Sequence, residues 1–295
     1  MNTDGLIVVD KPAGMTSHDV VARIRRLAKT RRVGHGGTLD PMATGVLIIG
    51  VNRATRLLTY VIGSRKSYAG TIRLGQTTVT DDAEGDVTAS VPAGAVSDEA
   101  IRAGLAAQVG EIDQVPSAVS AIKINGERAY KRVREGETVE IPARRITVYR
   151  LDVLDIRRPE GADVIDVDID VTCSSGTYIR AIARDLGAAL GVGGHLTALR
   201  RTAVGDMALD AAATLPELEE RAPDVVGLSL AEAARRSFPQ RTATDEETRV
   251  LRHGGPLEPV GIEGPYAVFD QSGEVLAIVS ERGGKARAEI VLAPA

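Results

Sequence analysis

A glycine-rich loop runs directly into an apolar segment at residues 34–51, GHGGTLDPMATGVLIIGV. The apolar half has the length and residue types of a short buried strand. Asp40, in the loop, is the single carboxylate between Asp19 and Asp81. Glycines let the backbone approach a ligand closely, and a lone acid in such a loop is typical of a catalytic carboxylate. The alternative is an ordinary turn at Asp40-Pro41, with Asp40 capping the chain reversal.

Short strands and helices are predicted on both sides of this loop. The run at Gly5–Asp10 predicts a buried strand, and Thr16 or Ser17 then offers the N-cap of a helix. We expect residues 76–97 to form a loop and Leu196–Val204 to have mixed structure. The other predicted elements are helices at Ala54–Val61, Asp98–Val109 (capped by Ser97) and about Tyr178–Leu190, and strands at Ser67–Leu74, Ile146–Ile156, Val164–Cys173, Tyr266–Asp270, Val275–Val279 and Glu289–Leu292.

The composition excludes several classes of protein. The chain has 295 residues, of which 43% are hydrophobic and 26% charged, as in soluble globular proteins. Its one cysteine, Cys173, cannot form an intramolecular disulfide, and its four histidines show no metal-ligand spacing. Dinucleotide, P-loop and serine-hydrolase signatures are absent. No secretory signal or membrane-spanning stretch is visible, so we expect a cytoplasmic protein.

Positive charge is confined to two blocks, although the chain as a whole carries −4. Residues 1–80 hold twelve Lys or Arg against four Asp, and residues 121–150 hold eight basic against four acidic residues. Such blocks are often solvated faces. The more specific interpretation is a basic groove for a polyanion on an otherwise acidic protein.

Five ordered segments resemble the TruB family of pseudouridine synthases. They are Asp10–Ser17, Gly34–Gly45 with the candidate carboxylate, Lys66–Gly75, Val115–Tyr130, and the pair Cys173–Arg180 and Gly194–Arg201. The resemblance covers about residues 5–205 and is highly specific, because five motifs recur in the same order. It is weaker after residue 206, where Leu251-Arg252-x-Gly254 resembles the start of a PUA-like domain.

The resemblance and the element order together predict an α+β fold. We expect a mixed, largely antiparallel central sheet with flanking helices, followed by a small β-rich, PUA-like C-terminal domain. The predicted boundaries are residues 1–227 for the catalytic domain, with an RNA-clamping insertion at about 116–145, and residues 228–295 for the C-terminal domain.

The resemblance implies a role for residues at the matching positions. Asp40 is implied as the essential carboxylate, either as a nucleophile or as a base acting on the sugar. Tyr68 is implied to lie against the target base, and Arg180 to pair with the carboxylate. The remaining implied site residues are His35, Tyr178 and Leu199, which shape the pocket, Lys11, which supports the loop, and Asp82.

One position departs from the family pattern. The family reads Thr-Asp-Thr-x-Asp after Gly75, whereas this chain has Val79 where the first Asp is usual. Asp82 matches the second Asp and is therefore a secondary site residue.

The implied activity is the isomerisation of uridine 55 in the T arm of tRNA, by a monomer that needs no cofactor, metal or membrane. The second basic block is implied to lie along the RNA backbone, which would make binding salt-dependent; its candidate contacts are Lys123, Arg128, Lys131, Arg132 and Arg134. Two alternatives are an RNA-binding folding chaperone for tRNA and a synthase that acts on another RNA.

Overall fold

The computed structural model describes residues 3–117 and 141–294, together with the backbone of two short strands at 123–124 and 127–128. The helices are α1 (Ser17–Leu27), α2 (Leu58–Gly63), α3 (Asp98–Ala106), α4 (Ile179–Ala189), α5 (Leu215–Glu220), α6 (Leu230–Ser237) and α7 (Asp245–Arg252), with 3-10 turns at Asn52–Leu57 and Leu209–Ala211. The first strands are β1 (Gly5–Lys11), β2 (Val33–His35), β3 (Thr44–Val51), β4 (Lys66–Leu74), β5 (Gln76–Thr78), β6 (Val87–Ser90), β7 (Gly110–Gln114), β8 (Lys123–Ile124) and β9 (Glu127–Arg128). The later strands are β10 (Arg144–Arg157), β11 (Ile165–Cys173), β12 (Gly194–Val204), β13 (Met207–Ala208), β14 (Leu228–Ser229), β15 (Gln240–Thr242), β16 (Tyr266–Phe269), β17 (Val275–Arg282) and β18 (Lys285–Val291).

A large mixed sheet organises the molecule. Its strand order is β14-β1-β3-β12-β4-β11-β10-β7, with β2 beside β3 and β13 beside β12. Neighbouring strands are antiparallel except β12 and β3, which pair in parallel over two residues only. A separate four-stranded sheet, β15-β16-β17-β18, follows near the C-terminus. The predicted fold class is therefore confirmed, with its largely antiparallel sheet, flanking helices and small C-terminal β-sheet.

Alternation of residue types explains the faces of the central sheet. In β11 the apolar residues at 165, 167, 169 and 171 are buried, while Asp168 and Asp170 between them are half-buried on the other face. This period of two is that of a strand with one face in the core. The inner face packs on α1 and α4. The first of these helices begins at a capping box between Thr16 and Asp19, so that of the two predicted caps, Thr16 and Ser17, the structure has the first.

A second apolar core lies on the opposite face of β1 and β3. There Leu6 and Ile48 pack with Phe238, Phe269 and Ile278 of the C-terminal region. The two strands are consequently buried on both faces, which explains why the chain is continuously apolar at residues 46–49. The predicted division at residues 227 and 228, and the PUA-like character of the C-terminal part, stay predictions.

Two sequence predictions of local structure were wrong. Leu196–Val204 is not mixed structure but part of β12, because the strand lies between β3 and β4 and its polar side chains find partners there. Residues 76–97 are not one loop, since β5 and β6 form a hairpin within them. In the described parts of the chain, no helix is long and apolar enough to cross a membrane.

Candidate active site

The loop that carries Asp40 connects β2 to β3, and the buried side chain of Lys11 donates hydrogen bonds to the backbone in and near it. Lys11 is fully buried, and its Nζ donates to the carbonyl oxygens of Met15 at 2.7 Å, Pro12 at 2.8 Å and Pro41 at 3.2 Å. The last of these bonds ties the lysine to the loop next to Asp40, and the supporting role implied for Lys11 stays a prediction. Burial lowers the pKa of Lys11, since the charged form loses water.

Leu39 and Ser17 fasten the loop from the side of α1. The Leu39 side chain is buried in the main core, next to the acid. Its backbone N–H donates to Ser17 Oγ at 2.9 Å, and the Ser17 hydroxyl donates back to the Leu39 carbonyl at 3.2 Å. The carboxylate that follows is thus held on a rigid backbone.

Arg180 joins two carboxylates. Its Nε lies 3.0 Å from Asp40 Oδ2, and its Nη1 lies 3.3 Å from Asp82 Oδ2. Nη1 also donates to the Thr80 carbonyl at 2.7 Å. Arg180 and Asp82 are buried, with 6% and 3% of their side chains exposed, whereas 36% of the Asp40 side chain is exposed. Arg180 therefore contacts the buried Asp82 through Nη1 and the more exposed Asp40 through Nε.

The electrostatics of Asp40 result from opposing influences. Burial raises the pKa of this carboxyl, while the Arg180 guanidinium beside it acts to lower it, and the net direction is upward. Asp82 adds to the rise because it is a second negative charge close by. A carboxylate that is partly desolvated, paired on one side and open on the other is well placed to act on an approaching reactant.

A cavity of about 230 Å³ opens beside the exposed edge of Asp40. Of the residues that the sequence singles out, Asp40, Tyr68, Tyr178, Arg180 and Leu199 line it. Tyr68 lies in β4 and is buried, and burial raises the pKa of its phenol. Residues from distant parts of the chain therefore meet around one small pocket.

Three predicted residues lie near the pocket without lining it. Lys11 contacts the loop through the carbonyl of Pro41, and Asp82 contacts Nη1 of Arg180. His35 is in β2, where its ring contacts His18 edge-on at a centroid distance of 5.3 Å. Its Nδ1 is buried and has no hydrogen-bond partner among the described residues, and burial lowers the pKa of the ring.

Nothing in the sequence indicated Gln114, whose buried side-chain amide orients Tyr178. The Tyr178 N–H donates to Gln114 Oε1 at 2.8 Å, and Gln114 Nε2 donates to the Tyr178 carbonyl at 3.1 Å. Gln114 is buried and lies at the end of β7. It could not be recognised, because a glutamine in a polar segment carries no local signal of burial.

Two buried cations in the pocket wall also received no role from the sequence. Lys66 and Arg201 both line the cavity. The Lys66 ammonium donates to two backbone carbonyls, and burial lowers its pKa to about 8. Arg201 belongs to a quoted motif, but the sequence does not reveal which of two adjacent arginines faces inward.

The predicted RNA-backbone contacts stay predictions. Lys131, Arg132 and Arg134 lie outside the described residues. For Lys123 and Arg128 only the backbone is described, and they face each other across the β8–β9 pair.

The arrangement suits nucleophilic attack or proton transfer on a small group that enters the cavity. It offers one accessible carboxylate, a cation paired with it, and a phenol on the adjacent wall. In the described part of the chain, no group of three or more His, Cys, Asp or Glu side chains is arranged to hold a metal ion.

Family comparisons match most of the chain. Residues 25–179 match "TruB family pseudouridylate synthase (N terminal domain)". Residues 180–224 match "tRNA pseudouridylate synthase B C-terminal domain", and residues 238–293 match "tRNA Pseudouridine synthase II, C terminal".

Individual proteins are similar over nearly the full length. The "tRNA pseudouridine synthase B" of Paenarthrobacter aurescens is 55% identical, over 98% of this chain and 95% of that protein. The protein of the same name from Mycobacterium ulcerans is 56% identical, over 99% and 95%. Among solved structures, a chain from "Crystal Structure of a Cbf5-Nop10-Gar1 Complex" matches with a TM-score of 0.75 and 26% identity, over 99% of this chain and 86% of that one.

Proposed function

Because the chain belongs to the TruB family of pseudouridine synthases, we propose that it isomerises uridine 55 in the T arm of tRNA to pseudouridine. The enzyme class follows from the family and from relatives named as tRNA pseudouridine synthases. The position in the tRNA and the role of each residue are our proposal. The observation that carries them is the Asp40–Arg180 pair at the edge of a pocket that also contains Tyr68.

The reaction breaks the C1′–N1 glycosidic bond, turns the uracil, and forms a bond between C1′ and C5. The proton on C5 is lost and N1 gains one, so the atoms balance without a cofactor. Asp40 acts at the sugar, either by attacking it or by removing a proton from it. Tyr68 lies against the base and assists proton transfer at C5. Its neighbours Tyr178 and Leu199 hold the base in the cavity.

The target nucleotide must leave its stack before it can reach this pocket, which costs a few kcal/mol. Contact between the base and an aromatic ring offsets part of that cost, by about 1–3 kcal/mol. The cavity of about 230 Å³ is smaller than the roughly 300–1,000 Å³ of pockets for drug-sized ligands. Its size supports entry of one base at a time, with His35 and its loop near the displaced nucleotide.

The rest of the tRNA is proposed to contact the basic segments. The insertion at about 116–145, including Lys123, Arg128, Lys131, Arg132 and Arg134, would neutralise phosphates of the T arm. We further propose a monomer that acts in the cytoplasm, with a catalytic domain at residues 1–227 and a C-terminal domain at 228–295.

The test is single-site mapping of pseudouridine in an unmodified tRNA incubated with wild-type protein or with Asp40→Asn. We expect one pseudouridine, at the T-arm uridine, with wild type only. The variant is expected to bind the tRNA nearly as tightly as wild type, since the substitution keeps the size of the side chain.

Three outcomes would contradict the proposal. Conversion at a different uridine would overturn the assigned position, and an active Asp40→Asn would overturn the assigned carboxylate. A wild-type protein that binds and folds tRNA without converting any uridine would point to an RNA chaperone.

A further inference from the structure

Two adjacent arginines on β12 have opposite environments. The Arg200 guanidinium is half-buried and paired with Asp10, at 3.0 Å through Nη1 and 2.7 Å through Nη2. Arg201 points to the other face of the strand, and only 1% of the residue is exposed. Among the described residues, no carboxylate lies within ion-pair distance of Arg201.

The Arg201 guanidinium is instead surrounded by backbone carbonyls, two in the loop that carries Asp40 and one in β3. Nε donates to Val46 at 2.7 Å, Nη2 to Gly37 at 3.1 Å and Nη1 to Thr38 at 3.3 Å. These three residues lie on both sides of the catalytic carboxylate. The planar fork of an arginine fixes the directions of its donors in one plane, whereas the donors of a lysine ammonium rotate about its flexible stem.

Arg201 also lies against Tyr68. The two residues are direct partners across β12 and β4, and both line the cavity. Burial raises the pKa of the Tyr68 phenol, while Arg201 acts in the opposite direction through its charge and its interaction with the hydroxyl. Buried charges are almost always paired with an opposite charge. The charge of a guanidinium that is bonded to neutral carbonyls is not cancelled by a carboxylate, so it makes the electrostatic potential in the pocket more positive.

We propose that Arg201 is a positioning residue that joins the two halves of the active site. It binds carbonyls of the loop of Asp40, and it lies opposite Tyr68 across β12 and β4, where its positive charge favours negative charge on the phenol. This inference rests on the proposed function, because it gives Arg201 a part in placing the carboxylate and the phenol on opposite sides of one base.

The first test compares Arg201→Lys with Arg200→Lys. Both variants keep the charge and lose the planar fork. The first removes contacts to the loop carbonyls of Gly37 and Thr38, whereas the second removes contacts to Asp10 and to Thr44 at the start of β3. The measurement is single-turnover release of tritium from tRNA labelled at C5 of uridine, together with tRNA affinity and thermal unfolding.

We expect Arg201→Lys to lower the rate about 100-fold, as displacement of a reacting group by about 1 Å can do, with tRNA affinity nearly unchanged. Arg200→Lys should stay within about threefold of wild type in rate, since its half-exposed pair with Asp10 does not line the cavity. Equal rates in the two variants would overturn the positioning role. Failure of Arg201→Lys to fold, or a matching loss of tRNA affinity, would reduce Arg201 to a structural role and also overturn it.

The second test does not require activity. Tyrosines are replaced biosynthetically by 3-fluorotyrosine, and the fluorine resonance of Tyr68 is assigned with Tyr68→Phe and followed as a function of pH. We expect the pKa of that phenol to rise in Arg201→Gln, because a positive charge is removed next to it. Arg200→Gln should leave it unchanged.

An unchanged titration in Arg201→Gln would overturn the electrostatic part of the inference. If wild type forms no pseudouridine at all, the proposed function fails, and this titration still decides whether Arg201 acts on Tyr68.

Discussion

Arginine and aspartate meet on both faces of the central sheet, in two very different ways. On the inner face, Arg180 is 6% exposed and holds Asp40 and Asp82 together. On the outer face of β10 and β11, arginines and aspartates pair in the open. These outer pairs are Arg150–Asp170 and Arg157–Asp168, and their arginine side chains are 55% and 45% exposed.

The difference shows what each set of pairs is for. Exposed ion pairs contribute about 0–1 kcal/mol, so the outer pairs mainly make the solvent-facing side of the sheet polar. A buried pair must compensate for the loss of water around both charges and is often no more stable than an apolar replacement. An arginine that bridges two carboxylates next to a cavity is therefore better explained by chemistry than by stability.

The largest effect is expected where the buried cluster loses its cation. Arg180→Met leaves Asp40 and Asp82 facing each other without a positive charge, which should lower the free energy of unfolding by about 3–5 kcal/mol. The rate of pseudouridine formation should fall by about 10²–10³-fold, as when a group that orients a reacting charge is removed. Urea denaturation and a single-turnover assay measure the two. A variant with the rate of wild type would remove the catalytic explanation of the cluster.

A smaller effect, which depends on pH, is expected from Lys66, another buried cation of the pocket wall. The pKa of Lys66 is lowered to about 8 in the folded protein, whereas it is near 10.4 in an unfolded chain. Between these values the unfolded state binds more protons, so the free energy of unfolding rises with pH. The stability difference between wild type and Lys66→Met should therefore shift in favour of wild type over this range, by on the order of 3 kcal/mol.

Urea denaturation of both proteins from pH 7 to 10.5 measures this shift. If the stability difference between wild type and Lys66→Met stays constant over the whole range, Lys66 has the pKa of an ordinary lysine. Its charge would then contribute as little to folding as the exposed charges of the outer face.

The smallest effect is expected on the outer face. Arg157→Met breaks the pair with Asp168 and should leave the free energy of unfolding nearly unchanged, because exposed ion pairs contribute little. High salt should reduce even this difference, because it screens exposed charges. Denaturation at low and high salt, with the activity assay, measures both. A loss as large as that of Arg180→Met would contradict the distinction between the two faces.

The sequence predicts the parts of the fold and site that have a local pattern. The alternation in Val164–Cys173 predicts β11 nearly to its ends, and Thr16 predicts the cap of α1. The resemblance led to the Asp40–Arg180 pair, and the structure has the two in contact. Family likeness could reach these residues because they stand in recognisable motifs.

What the sequence did not predict depends on contacts between distant segments. The burial of Gln114 and Arg201 follows from neighbours that arrive from elsewhere in the chain. The strand β12 was also missed, because its polar residues hide its position between two other strands. No local pattern distinguishes Arg200, at the surface, from Arg201, in the pocket.

The two-residue parallel pairing of β12 with β3 has a consequence for how the protein is made. It joins Arg200 and Arg201 to Thr44 and Gly45, each 156 residues earlier in the chain. Contacts between such distant segments form late and slowly, since a long loop must close first. During synthesis the loop of Asp40 therefore leaves the ribosome long before the strand that fastens it. The enzyme cannot begin to act until most of its chain has been translated.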